Sequence, residues 1–130
     1  AALLLGSLAS CDSNGGVAQV PAECGLPTPD RDVDIQLVPP EFLLADAEVT
    51  KAQKTKERLT IALNNPHSVA ESFVEYKKIM RDSDYAIVGE DNEGFEAEVY
   101  LKKGKELGAI QIRSSRCPDA TVVFLNFVQT

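Results

Sequence analysis

Strict two-residue alternation of apolar and polar side chains most constrains the fold of this 130-residue chain. Between residues 95 and 102, Phe95, Ala97, Val99 and Leu101 alternate with Glu, Tyr or Lys. Successive side chains of a β-strand point to opposite faces of a sheet, so this pattern predicts a strand with one buried face. Such a strand needs partner strands, together with a layer that covers its apolar side.

Shorter apolar patterns elsewhere in the chain supply the partner strands. They lie at residues 33–37, 45–49, 59–63, 85–88, 110–112 and 121–128. Pro39 and Pro40 are expected to end the first strand. The basic residues 51–56 and the segment 89–94 are expected to form turns, the former within a hairpin. The last strand is apolar on both faces, which predicts either a central position in the sheet or a covering layer on its second side.

One helix is predicted after residue 68. Val69, Phe73, Tyr76 and Met80 recur at helical spacing and form one apolar stripe. Ser68 precedes this stripe, and Glu follows three residues later, which is the pattern of a capping box. The helix is expected to end near residue 82.

Strands gathered around a single amphipathic helix indicate an α+β fold. We predict an antiparallel sheet of about five to six strands with the helix packed on one face. The opposite face is expected to be polar, with Glu96, Glu98, Tyr100, Gln111 and Arg113.

The first ten residues are uncharged and rich in Leu and Ala, and Cys11 follows them. This composition is typical of the end of a secretory signal. Leu8-Ala9-Ser10-Cys11 resembles the lipobox of bacterial lipoproteins. That resemblance implies cleavage before Cys11, lipidation of its sulfur and attachment of the protein to a membrane of the bacterial envelope. An ordinary signal peptide or a buried N-terminal helix is the alternative.

The cysteine count agrees with the lipoprotein interpretation. If Cys11 carries lipid, Cys24 and Cys117 remain as a pair that can form a disulfide in an oxidising compartment. We therefore predict a signal remnant over residues 1–10 and a lipidated N-terminus with a tether over 11–32. A single domain is predicted over 33–130.

Composition excludes several classes of function. The net charge is −7 and the pI about 4.7, which argues against nucleic acid as a partner because phosphates require a basic surface. No apolar run reaches the 18 or so residues of a spanning helix. We expect no cofactor.

Candidate catalytic and metal sites are weak. Asp30, Asp32 and Asp34 have the spacing of a calcium loop, but Ile35 stands where that loop requires glycine. The acidic segment 90–93 is more typical of a solvated turn. His67 is the single histidine and lies at a predicted helix start, so a catalytic role is not favoured. Glu96 and Glu98 share a strand face without any sign of a cleft.

Two basic segments stand out in this acidic chain. They contain Lys51, Lys54, Lys56, Arg58, Lys102, Lys103 and Lys105. If both lie at one end of the sheet, they can face anionic headgroups or an acidic partner. The alternative is that they only maintain solubility and protect strand edges.

These observations predict a lipid-anchored envelope protein whose small domain is a non-enzymatic binding module. Its partners would be the membrane, through Cys11, and a protein of the envelope that meets the polar sheet face or an open strand edge. An envelope enzyme, a metal-dependent accessory factor or a purely structural envelope protein is the alternative. The sequence leaves open the oligomeric state and which membrane carries the anchor.

Overall fold

The computed structural model describes residues 21–129, which form a six-stranded antiparallel sheet with one α-helix. The strands are β1 Glu48–Lys54, β2 Arg58–Asn65, β3 Ala86–Asn92, β4 Glu96–Lys103, β5 Glu106–Ser114 and β6 Thr121–Gln129. The helix α1 spans Val69–Arg81 between β2 and β3. The order across the sheet is β1-β2-β6-β5-β4-β3. The predicted α+β fold, with five to six strands and one helix, is therefore confirmed.

The central strand is β6, which is one of the two arrangements that its apolar faces predicted. It pairs with β2 on one side and with β5 on the other over eight or more residues each. Val123, Leu125 and Phe127 are buried on one face, and the residues between them are half-buried on the other. Both faces of a strand in this position are shielded from water to a large extent, which explains why its sequence is almost continuously apolar.

The helix begins and ends where the sequence predicted. The Ser68 hydroxyl accepts a hydrogen bond from the Glu71 backbone N–H, and the Glu71 carboxylate accepts one from the Ser68 N–H, each at 3.1 Å. Hydrogen bonding of the Glu71 carboxylate to the Ser68 backbone, and to a smaller extent to the Ser68 side chain, lowers the pKa of Glu71. Val69, Phe73, Tyr76 and Met80 are buried against the sheet. The helix therefore covers β3, β4 and β5.

The segment before β1 covers the other half of the same sheet face. Val38, Phe42, Leu44 and Ala47 belong to the main core, and the Phe42 ring lies 4.9 Å from that of Phe127. Short 3-10 turns at Ile35–Leu37 and Pro40–Phe42 shape this segment. One face of the sheet is thus sealed by the helix together with residues 33–47.

The predicted strand over residues 33–37 is wrong. The Asp34 side chain accepts a hydrogen bond from the Gln36 N–H, and the chain turns into a 3-10 helix at Ile35–Leu37. Local side-chain-to-backbone bonds of this kind compete with strand pairing. Pro39 and Pro40 also lack the N–H groups that a longer strand would need. Val33, half-buried, packs on the core beside this turn, and the buried Val38 that follows the turn belongs to the core.

Two turn positions and one buried side chain were also predicted wrongly. Lys51–Lys54 belong to β1, so the turn contains only Thr55–Glu57. Strand β3 continues to Asn92, and the turn lies at residues 93–95, where Gly94 has a φ of 87°. Phe95 is consequently outside β4, and 63% of it is exposed. Charged residues therefore continue a strand wherever backbone pairing with a neighbour is present.

Gly108 is required by the packing of β5 on β6. A Cβ at this position would lie 2.8 Å from the ring of Phe127, which is 3% exposed and held against Phe42 and Tyr85. Such a ring cannot move aside without disturbing the aromatic cluster. Gly89 differs, because its added Cβ would meet the exposed ring of Tyr100 at 3.3 Å.

We predict that Gly108→Ala lowers the free energy of unfolding by about 1–3 kcal/mol because it overpacks the core. Gly89→Ala is the matched control and should change it by less than about 1 kcal/mol, since the Tyr100 ring can shift. Urea unfolding followed by circular dichroism measures both values. Equal effects at the two glycines would contradict the proposed role of the aromatic cluster.

Candidate functional site

The second face of the sheet lacks a covering helix and forms the candidate site. Strand register places its side chains in four rows across β4, β5, β6 and β2. From one end to the other, the rows are Lys102-Leu107-Val128-Arg58, Tyr100-Ala109-Asn126-Thr60, Glu98-Gln111-Phe124-Ala62 and Glu96-Arg113-Val122-Asn64. We call these sixteen residues the open face, although Ala62 and Asn64 at its β2 border are buried and the Asn64 amide donates a hydrogen bond to the Pro27 carbonyl at 2.8 Å.

The centre of the open face is more apolar than the sequence predicted. The expected polar residues are present on β4 and β5, but β6 contributes Val122, Phe124 and Val128, all half-buried. Leu107 is 44% exposed and Tyr100 is 40% exposed. The alternation within β6 was visible in the sequence, but only the strand order places its second apolar row at the middle of this face. The five residues predicted for this face, Glu96, Glu98, Tyr100, Gln111 and Arg113, are thus found on it, but the face as a whole is less polar than expected because β6 adds an apolar row.

Polar side chains on the open face pair with one another. The Tyr100 hydroxyl donates to Glu98 at 2.6 Å, and Arg113 Nε lies 3.2 Å from Glu96. The hydrogen bond to Glu98 is the main reason why the pKa of Tyr100 is raised. The Arg113 guanidinium also lies 5.4 Å from the centre of the Phe124 ring. These contacts hold a flat surface with an apolar strip and charged flanks.

Both edges of the sheet are poor templates for an added strand. A register shift interrupts β1 between Val49 and Lys51, and another interrupts β3 between Ile87 and Gly89. The Thr50 carbonyl on the β1 edge already accepts a hydrogen bond from the Asp30 N–H at 2.8 Å. Bulges and charges of this kind are devices that prevent edge-to-edge pairing. The open face is thus a better candidate contact surface than the strand edges.

Cys24 and Cys117 lie together at the end of the sheet that contains the β5–β6 turn. Their sulfur atoms are 2.02 Å apart, the distance of a disulfide, and 93 residues separate them in the chain. Cys24 is buried, and its carbonyl accepts a hydrogen bond from the Arg116 N–H at 3.1 Å. This link attaches the segment before the domain to the sheet. Cys11 and the residues of the lipobox lie outside the described part of the chain.

No arrangement for catalysis is assembled from the residues singled out above. His67 lies 3.5 Å from the Asp46 carboxylate, both side chains being partly exposed. Asp34 caps a 3-10 turn. Glu90 is bonded to Lys77 at 2.9 Å. Within residues 21–129, no group of three or more His, Cys, Asp or Glu side chains is placed to hold a metal ion. No helix in this part of the chain is long and apolar enough to span a bilayer.

A buried polar cluster under the start of α1 was missed at the sequence level. The Asn65 amide donates to Ser72 Oγ at 2.9 Å, and that hydroxyl lies 3.3 Å from Thr121 Oγ1. All three side chains are fully buried. The Asn65 Oδ1 has no partner among the described residues. The only hint in the sequence was a polar residue at the end of an otherwise alternating apolar strand.

Six of the seven cations of the two basic segments lie at the same end of the sheet, and Lys51 lies further along β1, opposite Ala62. Arg58 at the start of β2 pairs with Val128, and the following Gln129 pairs with Glu106 beside the β4–β5 turn. We call this end, with Lys54, Lys56, Arg58, Lys102, Lys103 and Lys105, the basic end. A shallow cavity of about 220 Å³ opens there between Lys54, Arg58 and Gln129.

Comparison with known proteins gives no relative for this chain. No family model, curated protein or solved structure matches it.

We predict that Cys24→Ala/Cys117→Ala lowers the free energy of unfolding by up to about 4–5 kcal/mol, because a bond that closes so long a loop restricts the unfolded chain. Urea unfolding with and without dithiothreitol measures this loss. Reductant should destabilise the natural chain and leave the double variant unchanged. A natural chain that is insensitive to reductant would contradict the predicted contribution of the bond.

Proposed function

We propose that this protein is a lipid-anchored component of a bacterial envelope whose domain binds a protein partner through the open face. The observation that carries this proposal is the unequal covering of the sheet. One face is sealed by α1 and residues 33–47, whereas the other exposes an apolar strip between charged flanks. An apolar centre with a polar rim is the usual anatomy of a protein contact surface.

Export is supported by two independent features. The Cys24 and Cys117 sulfur atoms are at bonding distance, and disulfides persist mainly in oxidising compartments. The segment Leu8-Ala9-Ser10-Cys11 has the lipobox pattern after an apolar run. Two or more acyl chains on Cys11 would give stable membrane attachment, which a single chain does not. A domain confined in this way meets membrane partners at a raised effective concentration.

The dimensions of the open face suit a stable contact. Four rows along the strands and four strands across give a surface of roughly 400–500 Å², from the repeat distances within and between strands. Adding the flanking β1 and β3 residues and leaving out the buried Thr50, Ala62 and Asn64 gives roughly 600 Å², somewhat below the area of about 800 Å² that one partner contributes to an interface of standard size. Phe124 lies near its centre and is half-buried. Aromatic residues in such central positions carry a large share of binding energy.

Photo-crosslinking in intact cells tests this proposal. We predict that p-benzoylphenylalanine in place of Phe124 forms a discrete protein adduct on irradiation, because the open face is covered by a partner. The same group in place of Val74 is the control, since Val74 is 66% exposed on the helix side, away from the open face. Denaturing electrophoresis and mass spectrometry identify the adduct.

A second comparison addresses the anchor. Cys11→Ala in the Phe124 reporter chain should reduce the adduct several-fold, because the domain is no longer confined to the membrane. Equal adduct yields at positions 124 and 74, or none at 124, would contradict binding through the open face. An undiminished adduct in the Cys11→Ala chain would contradict the contribution of lipid attachment.

A further inference from the structure

We propose that the basic end is a contact surface for an anionic lipid bilayer, independent of the lipid on Cys11 and adjoining the open face through the row Lys102-Leu107-Val128-Arg58. Six of the thirteen Lys and Arg residues in the chain lie there, in a protein whose net charge is −7. The sheet residues at this end contribute two of the twenty carboxylates, Glu57 and Glu106. Charge is thus strongly separated along the strands.

Neither carboxylate forms an ion pair with Lys54, Lys56, Arg58 or Lys102. Glu106 accepts hydrogen bonds from the Tyr85 hydroxyl and from Gln129 Nε2. Burial raises the pKa of the Tyr85 phenol well above its usual value, and the hydrogen bond to Glu106 raises it further. The hydroxyl therefore stays protonated and donates to Glu106. None of the ion pairs between described residues involves Lys54, Lys56, Arg58 or Lys102. Four cations at this end are therefore held without a carboxylate partner.

The basic end stays positive when the charged residues of the neighbouring elements are counted with it. The last turn of α1 reaches the same end and brings Lys78 and Arg81 together with Asp82 and Asp84. Glu41 also lies near Tyr85 on the covered side. Positive side chains still outnumber negative ones. The local field felt at a contact depends on these groups rather than on the net charge, since salt screens charges beyond about 8–10 Å.

The distances between the cations indicate that their partner is an extended anionic surface rather than a single anion. The β1–β2 and β4–β5 turns are separated by three strand spacings, roughly 14 Å. Five of the six cations are lysines, which act as mobile point charges, and no arginine pair forms a fixed fork for one phosphate. An array of this width matches a plane that presents many phosphates. The shallow cavity at this end is lined by carboxylates as well, so it is not the proposed contact.

An exposed apolar side chain among the cations distinguishes a bilayer from an acidic protein or polymer. Leu107 is 44% exposed and lies in the row Lys102-Leu107-Val128-Arg58, between two unpaired cations. Val128 beside it is half-buried. Apolar side chains flanked by Lys or Arg are the pattern of peripheral membrane contacts, in which the apolar group enters the headgroup boundary. An exposed leucine contributes nothing to the binding of a soluble polyanion.

Vesicle sedimentation tests the proposal on the full chain with Cys11→Ala, so that acyl chains do not contribute. The chain should bind vesicles of phosphatidylglycerol and phosphatidylcholine, and binding to phosphatidylcholine alone should be about ten-fold weaker or more. Raising the salt concentration should abolish the difference. Lys54→Glu/Lys102→Glu should weaken binding to the anionic vesicles by at least about ten-fold.

Matched controls separate a local surface from overall charge. Arg31→Glu/Lys51→Glu gives the same net charge from exposed positions outside the basic end and should change binding by less than about two-fold. Leu107→Ala should weaken binding about three-fold, whereas Val88→Ala, 59% exposed on β3, should not.

Three outcomes would overturn the proposal. These are equal binding to both kinds of vesicle, equal losses in the two charge-reversal variants, or binding to soluble polyphosphate in preference to vesicles. The partner proposed for the open face is tested separately, because its photo-crosslink is formed at Phe124, two rows away from the row that contains Lys102 and Leu107.

Discussion

One-sided burial of a single antiparallel sheet is the constraint on which the rest of the structure depends. A helix and an irregular segment together cover the face formed by Ile61, Val99, Ile110 and Leu125. Because side chains alternate along a strand, a shift of one residue in any register would transfer the apolar set to the other face. The strand register therefore determines which face the helix and the irregular segment cover, and their packing in turn stabilises that register. The same constraint leaves the second face available for contact.

The sequence-level prediction succeeded where one physical signal dominated. The stripe of Val69, Phe73, Tyr76 and Met80, preceded by a capping serine, located α1 to the residue. The alternation in β4 located a half-buried strand, although Phe95 lies beyond its start. Periodicity of this kind follows directly from backbone geometry, so it is readable without knowledge of the partner.

Failures arose where tertiary contacts outweighed local pattern. Val33, Ile35 and Leu37 alternate like a strand, but a hydrogen bond to Asp34 and the burial of Val38 accompany a turn instead. Charged residues of β1 and β3 pair with their neighbours despite a composition typical of turns. The apolar centre of the open face depends on the non-sequential pairing of β2 with β6, which links residues more than fifty positions apart. No local signal contains that information.

The two proposed contact surfaces assign different tasks to one small domain. The basic end is suited to a charged bilayer, and the adjacent open face is suited to a protein, with Lys102, Leu107 and Arg58 common to both borders. A domain that rests on its basic end would present the open face sideways, along the membrane, to neighbouring proteins. The cysteines at the opposite end connect the domain to the N-terminal segment that would carry the lipid.

Lipid attachment and export are tested most directly by the chemical state of the three cysteines in protein purified from the cell envelope. Intact-mass and peptide mass spectrometry without reduction determines that state. The account predicts an N-terminal peptide that begins at Cys11 and carries acyl chains, together with a linked pair of peptides that contain Cys24 and Cys117. An unmodified thiol at Cys11, or a disulfide between Cys11 and either of the other two cysteines, would contradict it.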